Sequence, residues 1–221
     1  MPPSSKAEET SRKILDAALD LFREAGFENA TMRDIAAKAG VATGAAYYYY
    51  ASKEAIVMAL YERAWEEMQL ALEGAVSQAR GFEAKLKAAI RVKLEYFAPN
   101  RGVLRALVRT GADPAHPLSP FSPDTAAIRQ GDIAWFTRIL EDGGIRIPAD
   151  LAPHLPGALW FFQMGVIFFW ITDESPRQAR TMRLLDLSAK IVTSLLRLAS
   201  LPLTRSMRKP IVELIAIVKG A

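Results

Sequence analysis

The chain has 221 residues, of which 51% are hydrophobic and 24% charged, and this is enough to bury the cores of two small domains. It has no cysteine and only two histidines, so disulfide scaffolds, thiol catalysis and Cys- or His-rich metal sites are excluded. The net charge of +4 does not itself indicate nucleic-acid binding. Residues 1–53 carry seven basic and seven acidic side chains, and the excess lies in residues 175–221, with nine basic and two acidic.

The first nine residues contain no apolar segment of the signal-peptide type, which predicts a cytoplasmic protein. Residues 151–172 lack formal charge and are long enough to cross a membrane. Pro153, His154, Pro156 and Gln163 interrupt that segment, and no second one exists. The favoured interpretation is a buried helix without stable membrane insertion; a membrane span is the alternative.

Apolar residues recur with helical spacing along the chain, which predicts an all-α protein. Residues 1–9 are interpreted as a flexible leader. A first helix over about 10–25 places Ile14, Ala18 and Phe22 on one face and stops at Gly26.

The next two predicted helices are short and closely spaced. Thr31 is expected to cap the second helix with Asp34 as its capping-box partner, and Gly40 to end it with a positive φ. The third helix runs from Thr43 to Tyr50, and Ser52 caps a long fourth helix. Residues 10–51 therefore have the pattern of a three-helix helix-turn-helix domain, whose third helix enters the major groove of DNA.

Small residues at the start of the third helix allow its backbone to approach DNA, and the methyl groups of Thr43 and Ala45 can meet thymine methyls. Of four consecutive tyrosines, Tyr47 and Tyr48 are predicted to face the duplex and Tyr50 to pack inward, while Tyr49 is ambiguous. Thr31 and Lys53 are expected to hold phosphates. The predicted DNA-binding residues are Thr31, Arg33, Ala42, Thr43, Gly44, Ala45, Tyr47, Tyr48, Tyr49 and Lys53. The alternative is that the tyrosines are core aromatics of an ordinary helical bundle.

Residues 10–56 resemble the DNA-binding domain of the tetracycline-repressor (TetR) family of transcription regulators. The matching residues are Thr31, Ile35, Ala36, Ala39, Gly40, Val41, Gly44, Tyr47, Tyr49, Ser52, Lys53 and Glu54. Ala42 replaces the family's usual serine and Tyr50 its phenylalanine; without that serine, Thr43 is expected to take over capping. The resemblance implies a non-enzymatic regulator with an N-terminal helix-turn-helix and a C-terminal helical bundle that binds an effector and dimerises.

Residues 52–202 are predicted to form that second domain, with further helices at about 82–98, 102–110, 124–142, 156–172 and 176–200. The segment 157–171 is apolar on every face and must be covered on both sides. We predict a homodimer in which the last two long helices of each subunit form a four-helix bundle. A monomer whose own core absorbs both helices is the alternative.

Effector pockets are largely apolar with few polar groups. On this basis the predicted effector-binding residues are Met68, Phe97, Leu104, Leu107, Ile128, Trp135, Phe136, Phe161, Gln163 and Met164, with Gln163 as the main polar candidate. For each of them, plain core packing is the competing interpretation. No carboxylate cluster, metal-ligand spacing or phosphate loop appears, so no metal or cofactor is predicted.

Residues 203–221 are interpreted as a basic tail with a short terminal helix at about 211–218. The predicted function is a repressor released from an inverted-repeat, double-stranded operator by a small apolar effector. Two other classes of protein are the alternatives. An enzyme lacks a visible nucleophile and base, and a lipid-surface protein would use the uncharged helix and the basic tail.

Overall fold

The computed structural model of the chain describes residues 5–111, 113–204, 206, 208–210 and 212–213, apart from the side chains of residues 5 and 110. Every regular element among these residues is helical, as predicted. The α-helices are α1 Ser5–Glu24, α2 Met32–Ala39, α3 Thr43–Tyr49, α4 Lys53–Gln78, α5 Phe82–Phe97, α6 Arg101–Thr110, α7 Ala126–Asp142, α8 Leu155–Thr172 and α9 Ala179–Ala199. Short 3₁₀ turns lie at Ala98–Asn100, Pro176–Gln178 and Pro202–Thr204.

The first helix begins five residues before the predicted start at Thr10. Thr10 Oγ1 donates to the carbonyl oxygen of Lys6 over 2.9 Å, and Lys13 Nζ lies 2.8 Å from Glu9 Oε1. An ion pair at this i,i+4 spacing stabilises a helix. The residues just before Thr10, which are Ala7, Glu8 and Glu9, also have high helix propensity. The flexible-leader prediction was therefore wrong for residues 5–9, whereas residues 1–4 lie outside the described part.

The chain divides into two compact units. Unit 1 comprises Met1–Glu67 with Ala98–Ile128, and unit 2 comprises Met68–Phe97 with Arg129–Ala221, so far as their residues are described. The helix α4 therefore continues from one unit into the other, and α6 belongs with α1–α3. This division differs from the boundary predicted at residue 52, because α6 packs against α1 and completes the same core.

A single hydrophobic core holds unit 1 together. The helices α1 to α4 contribute Ile14, Ala18, Phe22, Ile35, Ala46, Ile56 and Val57, all of them almost fully buried. Val103 and Leu107 of α6 and Leu118 of the following loop join the same core. The short α2 and α3 are thus held by tertiary packing, which helices of this length require.

Residues 113–125, in the loop before α7, are held by internal hydrogen bonds. Thr125 Oγ1 donates to the carbonyl oxygen of Ser119 over 2.7 Å, and both residues are buried. His116 Nδ1 accepts from the backbone nitrogen of Leu118 over 3.1 Å. These bonds satisfy polar groups that a buried loop would otherwise leave unpaired.

In unit 2, α8 packs against α5 and α9. Leu86, Ile90, Trp170 and Leu185 are buried there, and Phe82 N donates to Gly143 O over 2.9 Å. The tail is attached to this unit, because Arg208 Nη1 lies 3.2 Å from Asp150 Oδ1. The predicted terminal helix at 211–218 lies mostly outside the described residues.

The apolar residues of α9 occupy two faces of the helix. One face is buried within unit 2 and includes Leu185, Ala189 and Leu196. The other is exposed; its residues, which we call the α9 stripe, are Leu187, Ile191, Leu195 and Leu198, exposed by 45%, 58%, 58% and 51%. Their spacing of three and four residues forms a continuous ridge along the helix. On α8, Phe161 is likewise 45% exposed.

Of the described helices, only α8 is long and apolar enough to cross a membrane by length and composition alone. The same test is passed by core helices of proteins that never enter a membrane. Gln163 near its middle is buried and hydrogen-bonded to Asp132 of α7. Together with its packing against α5 and α9, this bond agrees with the expected core helix.

Candidate nucleic-acid interface and effector site

The turn between α2 and α3 is fixed by local hydrogen bonds at both ends of α2. Thr31 and Asp34 form a reciprocal capping box, as predicted: Asp34 N donates to Thr31 Oγ1 over 3.2 Å, and Thr31 N to Asp34 Oδ2 over 3.2 Å. The hydrogen bonds from Thr31 lower the pKa of Asp34. At the other end, Gly40 is left-handed with φ 69° and Val41 N donates to Ala36 O over 3.0 Å, which turns the chain into α3.

The third helix starts without a side-chain cap. Its N-cap residue is Ala42, which makes no capping hydrogen bond, and Thr43 is the first helical residue. The expectation that Thr43 replaces the missing serine cap was therefore wrong, because Ala42 occupies the N-cap position and Thr43 follows it inside the helix. Its exposed side chain is not engaged in capping.

The four tyrosines divide between solvent and core. Tyr47 and Tyr48 are 53% and 85% exposed, which leaves both side chains accessible; that they face a DNA duplex remains a prediction. Tyr50 is partly buried, and its hydroxyl lies 2.7 Å from Ser11 Oγ of α1. Tyr49, which the sequence left ambiguous, packs against the core of unit 1 and makes an edge contact with Tyr48, 5.4 Å between ring centroids.

The predicted DNA-binding residues all belong to unit 1. Thr31, Arg33, Ala42, Thr43 and Gly44 are exposed, and Ala45 is partly so. The buried Ala46 fixes α3 against the core, so the same helix that is held inside presents Thr43, Gly44, Tyr47 and Tyr48 outside. None of the α3 side chains carries a charge or an amide group.

Lys53 is held by the loop that precedes α2. Its Nζ donates to the carbonyl oxygens of Phe27 and Glu28 over 2.8 and 3.2 Å, and lies 4.7 Å from the centroid of the Phe27 ring. Sequence reasoning missed this role, because the two segments are 25 residues apart. The ammonium ties the start of α4 to that loop; one of its three N–H groups is not used in these two bonds.

The structure distributes the predicted effector residues between the two units. Leu104, Leu107 and Ile128 belong to unit 1, and Leu107 is part of its core. The other seven are in unit 2: Met68, Phe97, Trp135, Phe136, Phe161, Gln163 and Met164. Phe161 is exposed, and Trp135 Nε1 donates to Gln69 Oε1 over 3.0 Å. The ten residues therefore do not form one cluster within one unit.

A buried polar cluster in unit 2 was not predicted. It consists of Lys93 of α5, Asp132 of α7 and Gln163 of α8, exposed by 7%, 6% and 1%. Lys93 Nζ donates to Asp132 Oδ1, and Gln163 Nε2 donates to Asp132 Oδ2 over 2.8 Å. A signal did exist in the sequence, since Lys93 and Asp132 each fall on the apolar stripe of their helix. Among the described residues, no group of three or more His, Cys, Asp or Glu side chains could hold a metal ion.

Two family models match the chain. That of the bacterial regulatory proteins of the tetR family covers residues 14–60, and that of the tetracyclin repressor-like C-terminal domain covers residues 85–210, more than half of the chain. The protein therefore belongs to the TetR family of transcriptional regulators. The resemblance found in residues 10–56 is confirmed.

Individual relatives agree with this assignment. The chain is 36% identical to the A-factor receptor protein of Streptomyces griseus over 35% of its length, and 34% identical to the HTH-type transcriptional regulator SrpR of Pseudomonas putida over 33%. These matches span 28% and 42% of the two relatives. The second of these relatives is named as a helix-turn-helix transcriptional regulator, which agrees with the family assignment.

Solved structures confirm the fold. A TetR transcriptional regulator from Nitrosomonas europaea has a TM-score of 0.64 at 20% identity, covering 82% of this chain and 96% of that one. FadR from Bacillus subtilis, in complex with stearoyl-CoA, also has a TM-score of 0.64, at 18% identity, covering 83% and 97%. The predicted all-α architecture, with an N-terminal helix-turn-helix and a C-terminal helical domain, is thereby confirmed.

The two glycines that flank the turn should respond differently to alanine. An added Cβ meets nothing within 4 Å at either Gly40 or Gly44, but only Gly40 has a positive φ. We expect Gly40→Ala to lower the free energy of unfolding by about 1 kcal/mol, because alanine is strained there. Gly44→Ala, the matched control, should leave stability equal or higher. Urea denaturation of both variants is the measurement, and equal losses would contradict this explanation.

Lys53→Gln is expected to have two separable effects. Loss of the bonds to the loop should lower the free energy of unfolding by about 1 kcal/mol. Loss of the predicted phosphate contact should lower the slope of log affinity against log salt by about one unit. Lys38→Gln is the control, because that ammonium pairs with the exposed Glu24 over 2.7 Å. A destabilised variant with an unchanged salt slope would restrict Lys53 to a structural role.

Proposed function

We propose that the protein is a cytoplasmic repressor that binds an inverted-repeat DNA operator as a homodimer and leaves it when a small apolar effector binds. The observation that carries this proposal is the surface of α3. Thr43, Gly44, Tyr47 and Tyr48 are exposed on a helix that is otherwise held by a buried core and a tight turn. Such a surface fits the major groove, with small residues at the N-terminal end and aromatic residues behind them.

Contacts to the DNA backbone are assigned to residues around α3. Thr31 and Arg33 at the start of α2 are exposed and can approach phosphates, as can the hydroxyls of Tyr47 and Tyr48. We further assign one phosphate to the remaining N–H group of Lys53. The carbonyl oxygens of Phe27 and Glu28 hold its ammonium in place, which lowers the entropy lost on binding.

The homodimer is proposed to form through α8 and α9. The α9 stripe and Phe161 leave large apolar side chains in water on two helices that pack against each other. Exposed apolar patches of this kind mark interaction surfaces. A second copy of the same two helices would bury both patches in an isologous four-helix bundle, and its two-fold axis would be matched by operator symmetry.

The effector is proposed to bind in unit 2, among the buried or half-buried Met68, Phe97, Trp135, Phe136 and Met164. A regulator of the same fold, FadR from Bacillus subtilis, was crystallised with stearoyl-CoA, whose acyl chain is long and apolar. The helix α4 is continuous between the effector unit and the DNA-binding unit. An effector acts through it only if its affinity differs between the DNA-bound and free states.

The decisive experiment begins with selection of binding sites from random duplex DNA. We expect an inverted repeat, bound by two chains, and repression of a reporter that carries it. A library of lipophilic compounds is then screened for loss of binding in a fluorescence-anisotropy assay. Selection of a single asymmetric half-site by a monomer would contradict the proposal. A ligand that binds tightly without changing operator affinity would remove its regulatory part.

The side chains of α3 lead to a further prediction about which groups of the DNA bases the protein contacts. Without an amide, guanidinium or carboxylate, α3 cannot form the bidentate hydrogen bonds that identify guanine or adenine. Apolar contacts with thymine methyl groups remain available to Thr43 and Ala45. Replacing single thymines of the selected operator by deoxyuracil should weaken binding by a factor of about 3–10 at contacted positions, since burial of one methyl contributes about 0.8 kcal/mol or more. Anisotropy titrations that show no effect at any thymine would refute methyl reading.

A further inference from the structure

The buried polar cluster of Lys93, Asp132 and Gln163 contains one polar atom without a partner. Lys93 and Asp132 satisfy each other as an ion pair, and Asp132 also accepts from Gln163. Gln163 Oε1 is fully buried, and no described residue donates a hydrogen bond to it. A buried acceptor in this state costs free energy that a suitable donor would recover.

The chemistry of the cluster fixes which atom of the amide is unpaired. An ionised carboxylate offers acceptors only, so the group facing Asp132 Oδ2 must be the amino group of Gln163 and not its oxygen. The reversed amide would place two acceptors against each other. Gln163 therefore presents an acceptor, and the missing partner must be a donor.

The buried residues nearest to the cluster along α7 and α8 are aromatic, and the guanidinium carbon of Arg129 on α7 lies 5.9 Å from the centroid of the Trp160 ring. Trp160, one helical turn before Gln163, is buried, as are Trp135 and Phe136 on the helix that carries Asp132. A carboxylate ligand has no donor for the Gln163 oxygen, and the charge of Lys93 is already balanced by Asp132. A ligand with an apolar body and a neutral O–H or N–H group can pack against the aromatic side chains and donate to the Gln163 oxygen.

We propose that this cluster is the polar end of the effector site and that it selects an apolar effector bearing a hydroxyl or N–H donor against carboxylates and methylated analogues. The inference rests on the proposed function, which places an effector in unit 2, and adds the chemical class of that effector. Lys93 and Asp132 act as positioning residues, because they fix the orientation of the Gln163 amide.

The test uses three probe pairs in which one member has an O–H or N–H donor and the other is a methylated compound of similar size without one: phenol and anisole, indole and 1-methylindole, 1-decanol and 1-methoxynonane. Binding to the full-length protein is measured by isothermal titration and by the shift in Tm. In at least one pair, we expect the donor to bind at least about tenfold more tightly, equivalent to 1.4 kcal/mol. Decanoate, which lacks a donor at neutral pH, should bind more weakly than 1-decanol.

Gln163→Met keeps the length of the side chain and removes the acceptor, so it should reduce the preference to less than twofold while leaving the methylated probes unaffected. Gln130→Met is the control, because that glutamine is exposed on α7. The wild-type comparison does not depend on whether the variant folds. Equal binding within every pair, absence of binding by all donors, or a preference that survives Gln163→Met would each overturn the proposal.

Operator affinity measured with the same probes separates this inference from the proposed function. A donor preference without operator release would support the cluster as a ligand site and contradict regulation through it. Operator release by ligands that show no donor preference would support regulation and overturn the role of the cluster.

Discussion

Ile191→Asp is expected to convert the protein to a monomer and to lower its operator affinity by a factor on the order of 100 or more. Ile191 is 58% exposed in the middle of the α9 stripe, where a dimer would bury it against its counterpart. Two carboxylates would then face each other in an apolar interface, which strongly disfavours association. A dimer that holds two half-sites gains affinity because the second contact is intramolecular, and a monomer loses that gain.

Analytical ultracentrifugation measures the oligomeric state, and fluorescence anisotropy measures the operator affinity. Lys190→Gln is the matched control: it changes the charge by the same amount and lies about 100° away from Ile191 around the helix. Because Ile191 is exposed in the single chain, the aspartate should leave the fold of the monomer intact by circular dichroism. A variant that stays dimeric would move the interface elsewhere, and a monomer with unchanged operator affinity would remove the need for a dimer.

Asp132→Ala is expected to have the largest effect on stability, lowering the free energy of unfolding by about 3–5 kcal/mol. The substitution removes the carboxylate that pairs with Lys93, a side chain that is only 7% exposed. It also removes the acceptor of Gln163 Nε2. A buried ammonium that loses a hydrogen-bonded carboxylate is destabilised far more than an exposed one that loses a surface pair. Chemical denaturation followed by circular dichroism gives the value.

The double variant Lys93→Met/Asp132→Asn should recover more than half of that loss. It removes both charges and keeps an amide oxygen for Gln163, and neutral replacements of buried ion pairs are often tolerated. Asp142→Ala, on the exposed last turn of α7, should change stability by no more than about 0.5 kcal/mol. If the single and double variants lost equal stability, unpaired charge would not be the cause.

The helix-turn-helix was predictable because its signals are local. The pairing of Thr31 with Asp34 and the left-handed Gly40 depend on residues within a few positions of one another, and the exposure of Tyr47 follows from the helical spacing of α3. Cap and turn residues act through the backbone of their own segment, so tertiary context seldom changes them.

The features that escaped prediction depend on distant segments. Asp132 is 39 residues from Lys93 and 31 from Gln163, and no local rule pairs them. The carbonyl oxygens that hold Lys53 are likewise remote in sequence, so the residues around Lys53 do not indicate them. The apolar residues of α9 could not be divided between a buried and an exposed face, because helical spacing shows amphipathicity but not which neighbour covers each side.

The uncharged α3 also affects how the protein would search the chromosome. Affinity for arbitrary DNA comes from cations on phosphates, yet residues 1–53 carry as many acidic as basic side chains. Dwell times on random sequence should therefore be short, with little sliding and frequent dissociation. Fewer copies per cell would be sequestered by the many competing genomic sites, so a small number of molecules could keep one operator occupied.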